Sequence, residues 1–213
     1  MLQSLFRWLY YFPYRCKTRL TRWRLERLGV DFSTDTDRRF PSGIGYAYQP
    51  TYDTIFQDGI RNLPIPIREI KMLDAGCGKG PILYFAKRMG IENVGGVEFS
   101  DELYALCVKN MQALGYQGLS LFHQDATLLK DELDDYNVFY MFNPFPAGPM
   151  RAFMQSIAES ARRTPRPVYV IYHNPVFADV CREEGFVVRK EVLTHTYFRN
   201  DKPTLILEYC ATS

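Results

Sequence analysis

The run Leu73-Asp74-Ala75-Gly76-Cys77-Gly78-Lys79-Gly80 constrains the fold more than any other stretch of the chain. It follows a short apolar segment and leads into Pro81, Ile82, Leu83, Phe85, Ala86 and Met89, whose spacing gives one apolar helical face. Proline is tolerated at the first position of a helix, where no backbone N–H is needed. Glycine reaches backbone angles closed to other residues and lets a ligand approach the main chain. The stretch therefore predicts a strand, a glycine turn and a helix N-terminus, the general form of a nucleotide-binding βα corner. Its G-x-G-x-G spacing is not the G-x-G-x-x-G of dinucleotide enzymes, and no Lys-Ser or Lys-Thr pair follows as in a P-loop.

Two acids sharpen the reading. Asp74 stands just before the first glycine, and Glu98 closes the segment Asn93-Val94-Gly95-Gly96-Val97-Glu98-Phe99. A carboxylate about twenty residues beyond such a turn can accept both ribose hydroxyls. In these features the chain resembles the class I S-adenosylmethionine-dependent methyltransferases, whose first motif is an acid ahead of G-x-G-x-G and whose second is the ribose-binding acid. The resemblance implies S-adenosyl-L-methionine as cofactor, bound at Asp74, Gly76, Gly78, Gly80 and Glu98. It extends to His123-Gln124-Asp125-Ala126, where an acid after the third strand resembles the family residue that accepts from the adenine amino group. Asp125 and Ala126 thereby join the expected cofactor site, although Asp125 read alone is also consistent with a plain loop acid.

From residue 71 onward strand and helix patterns alternate. Helices are expected over about 52–62, 81–89, 101–114, 149–162 and 176–184, and strands over about 119–124, 136–142 and 167–172. Segments 186–195 and 203–210 alternate strongly around a turn at Asn200-Asp201-Lys202-Pro203 and read as a hairpin. The expected fold is α/β: a seven-stranded, mostly parallel sheet with helices on both faces and a C-terminal antiparallel hairpin, as in class I methyltransferases. That hairpin, and the lack of room for a second substrate domain, disfavour a nicotinamide oxidoreductase.

The strand at 136–142 runs into Asn143-Pro144-Phe145-Pro146. Ligands of open α/β sheets bind beyond the carboxyl ends of the strands, which puts Asn143 in the same crevice as Gly76 and Glu98. The motif resembles the Asn-Pro-Pro-aromatic motif of methyltransferases acting on exocyclic base amines or glutamine amides, with the second proline missing and the aromatic one place early. It also resembles the Asn-rich motif of the non-SET nucleosomal lysine methyltransferases. A nitrogen attacking a sulfonium methyl needs its lone pair on the C–S axis and its hydrogens held elsewhere. The Asn143 side chain and the Asn143-Pro144 backbone carbonyl can accept those hydrogens, while Phe145 stacks on a planar or cationic acceptor. Asn143, Pro144 and Phe145 are thus the candidate catalytic group. A strand-end Asn-Pro turn without chemistry is the alternative, and His173-Asn174-Pro175 repeats the pattern, with His173 either meeting the acceptor or serving structure.

Residues 1–29 stand apart as a basic, aromatic, amphipathic segment, and 30–213 form the expected methyltransferase domain. Arg7, Arg15, Lys17, Arg19, Arg22, Arg24 and Arg27 face a single acid, Glu26, and interleave with Trp8, Tyr10, Tyr11, Phe12, Tyr14 and Trp23. Such a segment can lie on an anionic membrane, grip RNA phosphates, or pack on its own domain with solvated charges. It is too short and too broken by arginine to span a membrane. Net charge is only +2 over 213 residues, which argues against extensive nucleic-acid contact by the body of the protein. Cys16, Cys77, Cys107, Cys181 and Cys210 are scattered and odd in number, so they read as reduced thiols in a cytoplasmic protein, with no structural metal expected. Tyr46 and Tyr48 are candidates for a lid over the cofactor or for plain cover of the sheet edge.

The phrases Tyr-Gln-Pro-Thr at 48–51, Gly-Val-Glu-Phe-Ser at 96–100, Phe-Asn-Pro-Phe at 142–145 and Tyr-His-Asn-Pro at 172–175 resemble a group of bacterial class I methyltransferase-like proteins over about residues 40–210. The expected activity is methyl transfer to a nitrogen, a protein side chain slightly ahead of an RNA or DNA base. The alternative from another class is a non-catalytic S-adenosylmethionine-binding module.

Overall fold

The computed structural model describes residues 21, 23–33, 53–194 and 202–210. Tyr46, Tyr48 and most of residues 1–29 lie outside the described residues, as do Asn200 and Asp201 of the expected turn at 200–203. Seven strands form one sheet: β1 (Lys71–Ala75), β2 (Asn93–Glu98), β3 (Ser120–His123), β4 (Val138–Phe142), β5 (Tyr169–His173), β6 (Phe186–Val192) and β7 (Thr204–Tyr209). Their order is β3-β2-β1-β4-β5-β7-β6. Strands β1 to β5 pair in parallel, and β7 runs antiparallel to both β5 and β6. The expected hairpin is present, with its second strand inserted between β5 and the edge strand β6.

Helices α1 (Asp53–Arg61), α2 (Pro81–Arg88), α3 (Asp101–Ala113), α4 (Ala147–Arg163) and α5 (Ala178–Glu183) cover the sheet. Each central strand is buried on both faces, so its side chains alternate between two cores. Leu73, Phe139, Met141, Val170 and Leu207 join Met150, Phe153 and Ile157 of α4 in one. Met72, Val94, Val138, Tyr140 and Ile171 join Phe56, Leu83, Cys107 and Met111 of α1, α2 and α3 in the other. Each such large apolar side chain contributes roughly 1.5–3 kcal/mol on full burial.

Local chemistry sets the helix starts that matter for the site. Gly80 takes the left-handed conformation ahead of Pro81 at the first position of α2. Ser100 caps α3 by accepting from the Leu103 N–H, with Asp101 and Glu102 in the first turn, where the positive end of the helix dipole favours carboxylates. The strand order reverses direction at β1, whose neighbours are β2 and β4. The crevice beyond the carboxyl ends of β1 and β4 is therefore the topological switch point, where open α/β sheets bind ligands. No helix of the described residues is long and apolar enough to cross a membrane.

Candidate functional site

The glycine turn is stitched onto β2. The N–H groups of Gly76 and Cys77 both donate to the Val97 carbonyl, at 2.9 and 3.0 Å, and Gly80 N–H donates to the Cys77 carbonyl at 2.8 Å. Gly76, Gly78 and Gly80 all have positive φ, of 77°, 54° and 85°. Two of them also face crowded neighbours. A Cβ on Gly76 would lie 3.2 Å from the Pro144 Cβ, so the turn after β1 and the turn after β4 meet there. A Cβ on Gly80 would lie 2.8 Å from the Cys107 Sγ, so Gly80 serves the close packing of α3 behind the turn.

The two acids share one face of the sheet. Glu98 is 5% exposed; its Oε2 accepts from the Gly78 N–H and its Oε1 from the Ser100 N–H, each at 2.9 Å. Burial raises its carboxyl above the ordinary range, against the pull of those N–H groups. Asp74 is 3% exposed, and burial, followed by the nearby Glu98 charge, pushes its carboxyl well up. Asp125 starts a short 3-10 turn at Ala126–Leu128 by accepting from the Thr127 N–H at 2.9 Å, and Ala126 is buried beneath it.

Across the crevice, Asn143 has φ 40°. Its Oδ1 accepts from the Tyr172 hydroxyl at 3.1 Å. Pro144 lies over Gly76, as described. Phe145 sits differently from the expectation of an aromatic face offered to an acceptor. It is 7% exposed and packs edge-to-face on Phe153 at 5.7 Å. Pro146 begins α4 immediately afterwards, and the apolar face of that helix draws the ring into the core. His173 is buried, with Nδ1 2.9 Å from the Thr204 Oγ1 and its ring edge-on to Phe142. Burial, then the charge of Lys202, lowers its pKa to about 4, so it is a neutral imidazole near pH 7.

Residues 72–164, which contain the glycine turn, Asp74, Glu98, Asp125 and the Asn143-Pro144-Phe145 turn, match the profile of a family described as a methyltransferase domain. The match spans less than half of the chain; over it the chain is similar to a methyltransferase domain, and the cofactor such a domain implies is S-adenosylmethionine. Among solved structures, the fold is similar to magnesium protoporphyrin IX methyltransferase from Synechocystis PCC 6803 with bound S-adenosylmethionine, at 18% identity and TM-score 0.55, over 74% of this chain and 77% of that one. It is also similar to a ribosomal protein L11 methylase from Lactobacillus delbrueckii subsp. bulgaricus, at 16% identity and TM-score 0.54, over 75% and 88%. The methyltransferase domain of bacterial CtHen1-C aligns at 15% identity and TM-score 0.57, over 75% and 98%. No curated protein sequence is significantly similar to the chain.

The residues of the crevice fit this cofactor on their own chemistry. A carboxylate buried as deeply as Asp74, beside a second one, calls for a cationic partner, and the cofactor carries two positive groups, an ammonium and a sulfonium. Glu98 accepts from the backbone N–H groups of Gly78, Ser100 and Phe99 and, with about four lone-pair sites, keeps acceptor capacity for a ribose hydroxyl.

Sequence reasoning passed over the group that anchors the turn from behind. Lys79, between Gly78 and Gly80, is 1% exposed; its Nζ donates to the Asp31 Oδ2 at 2.8 Å. Asn110 of α3, fully buried, clamps both partners: Nδ2 donates to the Asp31 carbonyl at 2.8 Å and the Lys79 carbonyl at 3.0 Å, and Oδ1 accepts from the Asp31 N–H at 2.9 Å. Burial alone would raise the Asp31 carboxyl, but hydrogen bonds from Lys79 and Ser33 hold it at about 2. The available signal was a lysine inside a glycine turn with no phosphate-binding motif around it.

Proposed function

We propose that this chain is an S-adenosylmethionine-dependent methyltransferase acting on a nitrogen acceptor, with a protein side chain somewhat ahead of a nucleic-acid base. One observation carries this reading. Pro144 packs against Gly76, so the Asn143-Pro144 turn meets the glycine turn at the switch point, which supports an acceptor site built on the Asn143 oxygens. When bound, the cofactor supplies an electrophilic methyl group on a sulfonium. The Asn143 Oδ1 and the Asn143 backbone carbonyl accept the hydrogens of the acceptor nitrogen and so direct its lone pair. Rate comes chiefly from that orientation. The acceptor attacks uncharged, and its surplus proton passes to water.

Cysteine chemistry is not called for. A hydrogen bond to Cys107 and burial push the Cys77 thiol well up, and burial pushes Cys181 up to about 12.

A base acceptor is favoured by a different observation. Trp23 is exposed, with the Arg27 guanidinium over its ring at 4.8 Å, and Arg24 is exposed beside it, a pairing that can stack on bases and reach phosphates. Whichever macromolecule binds, residues 1–29 are the proposed contact, to acceptor or to an anionic membrane surface, from a cytoplasmic location.

Calorimetric titration with S-adenosylmethionine, S-adenosylhomocysteine and NAD, on wild type and Glu98→Ala, is the first test. Binding of both sulfur nucleosides, lost in the variant and absent for NAD, is expected. Tritiated methyl incorporation into protein and RNA fractions of a bacterial extract then separates the two acceptors. Folded protein that binds the cofactor but labels neither would leave a non-catalytic binding module.

A further inference from the structure

The turns that end β4 and β5 form one unit. Asn143 and Asn174 are the non-glycine residues with positive φ among those described, at 40° and 52°. Each precedes a proline, which crowds the preceding backbone further. Strain of this kind persists only where the surroundings enforce it. Phe142 and His173 are paired in register, so the two turns stand side by side at the same end of the sheet.

Tyr172 joins them. Its ring is fully buried in the apolar core with Phe139, Met141 and Val170. Its hydroxyl accepts from the Phe177 N–H at 3.3 Å, just past the second turn, and donates to the Asn143 Oδ1 at 3.1 Å in the first. A buried hydroxyl is unfavourable unless its hydrogen bonds are met, and here they reach both turns. The donor to Oδ1 also fixes which end of the amide is which. A flipped amide would set its own N–H groups against the Tyr172 proton.

We infer that Tyr172 is a positioning residue for the acceptor site. It locks the Asn143 amide with oxygen as the acceptor, and so selects nitrogen acceptors that still carry hydrogen. This rests on the reading of Asn143 as the acceptor-binding side chain. The same hydroxyl braces the two strained turns against each other.

The test is a double-mutant cycle on the full chain. Tyr172→Phe is expected to lower tritiated methyl incorporation into the protein fraction of a bacterial extract about tenfold, with S-adenosylmethionine affinity by calorimetry within about twofold of wild type. In an Asn143→Ala background the same change should add less than about twofold. Effects that multiply across the two backgrounds would overturn the proposal, because a merely structural tyrosine acts equally in both.

A second reading needs no acceptor. The Asn143 side-chain NH2 signals, assigned by their loss in Asn143→Ala, should move in ¹⁵N spectra of Tyr172→Phe, and unmoved signals refute the lock. Wild-type protein that binds cofactor yet labels no fraction sinks the acceptor assignment, while these spectra still decide whether Tyr172 holds Asn143. If Tyr172→Phe does not fold, Cζ-labelled tyrosine in Asn143→Ala reports from the other side: a shifted Tyr172 signal supports the contact and an unchanged one overturns it.

Discussion

Replacing Asp31 by asparagine removes one charge from a residue remote in sequence from the glycine turn, yet bonded to a lysine inside it. The Asp31 carboxyl titrates at about 2 in place of the ordinary 3.8. At about 1.4 kcal/mol per pH unit, that difference corresponds to roughly 2.5 kcal/mol before screening. The side chain is 47% exposed, so water reduces this to about 1 kcal/mol. Lys79 is 1% exposed, and leaving its ammonium without this carboxylate adds about 1 kcal/mol more, well below the value for a fully buried pair. Asp31→Asn should therefore lower unfolding free energy by about 2 kcal/mol at pH 7, or about 4–8 °C in melting temperature for a chain of this size.

The sign with pH is fixed. A depressed carboxyl pKa stabilises fully above the ordinary value and is lost as pH falls toward 2, so the gap between wild type and variant should narrow at pH 3. Because Lys79 lies between Gly78 and Gly80, cofactor affinity should weaken several-fold, about 1 kcal/mol. Denaturant unfolding at pH 7 and pH 3, with calorimetric titration of S-adenosylmethionine, reads all three. A variant within about 0.5 kcal/mol of wild type at pH 7, the ordinary range for surface changes, would refute the coupling.

Three further changes probe separate parts of the molecule. Gly76→Ala puts a Cβ 3.2 Å from Pro144 at φ 77°; a loss of about 1–3 kcal/mol is expected by thermal unfolding, with cofactor binding weakened at least about tenfold in calorimetry. Arg166 donates to the carbonyls of Leu133, Tyr136, Ser160 and Thr164, so Arg166→Ala should cost about 2–4 kcal/mol in urea unfolding while leaving cofactor affinity unchanged. His173 titrates at about 4 in the fold against 6.5 for the free side chain. Its contribution is therefore full above pH 6.5 and falls between pH 6.5 and 4; wild type should lose about 2 kcal/mol from pH 6.5 to 5, and His173→Asn should lack that component.

The parts of the site legible in sequence are those made by neighbours in the chain. Gly76, Gly78 and Gly80 need positive φ whatever surrounds them, and Glu98 and Asn143 are placed by where a strand ends. Strand alternation at 186–210 gave a hairpin, but not which of its strands pairs with β5, because that choice is made by contacts far apart in sequence. Phe145 illustrates the same limit at one residue: its motif suggested a stacking face, and the apolar side of α4 claimed the ring. Tyr172 and Asn110 were illegible because their function is a hydrogen bond to a partner 29 and 79 residues away. The 3-10 turns at Ile67–Glu69, Ala126–Leu128 and Asp131–Asp135 carry too little periodicity to announce themselves.

Both rims of the sheet are poor templates for another chain. One rim is β3, only four residues long. The other is β6, whose register slips between Val188 and Lys190, and whose Arg189 is drawn across to the Glu208 carboxylate of β7 at 2.6 Å. An interrupted ladder lined with Arg189, Lys190 and Glu191 offers an incoming strand neither a continuous row of backbone groups nor an apolar face. Inserting β7 beside β5 moves the apolar strand inward and leaves the charged one outside. Resistance to strand-to-strand aggregation is thus built into the same hairpin that completes the fold.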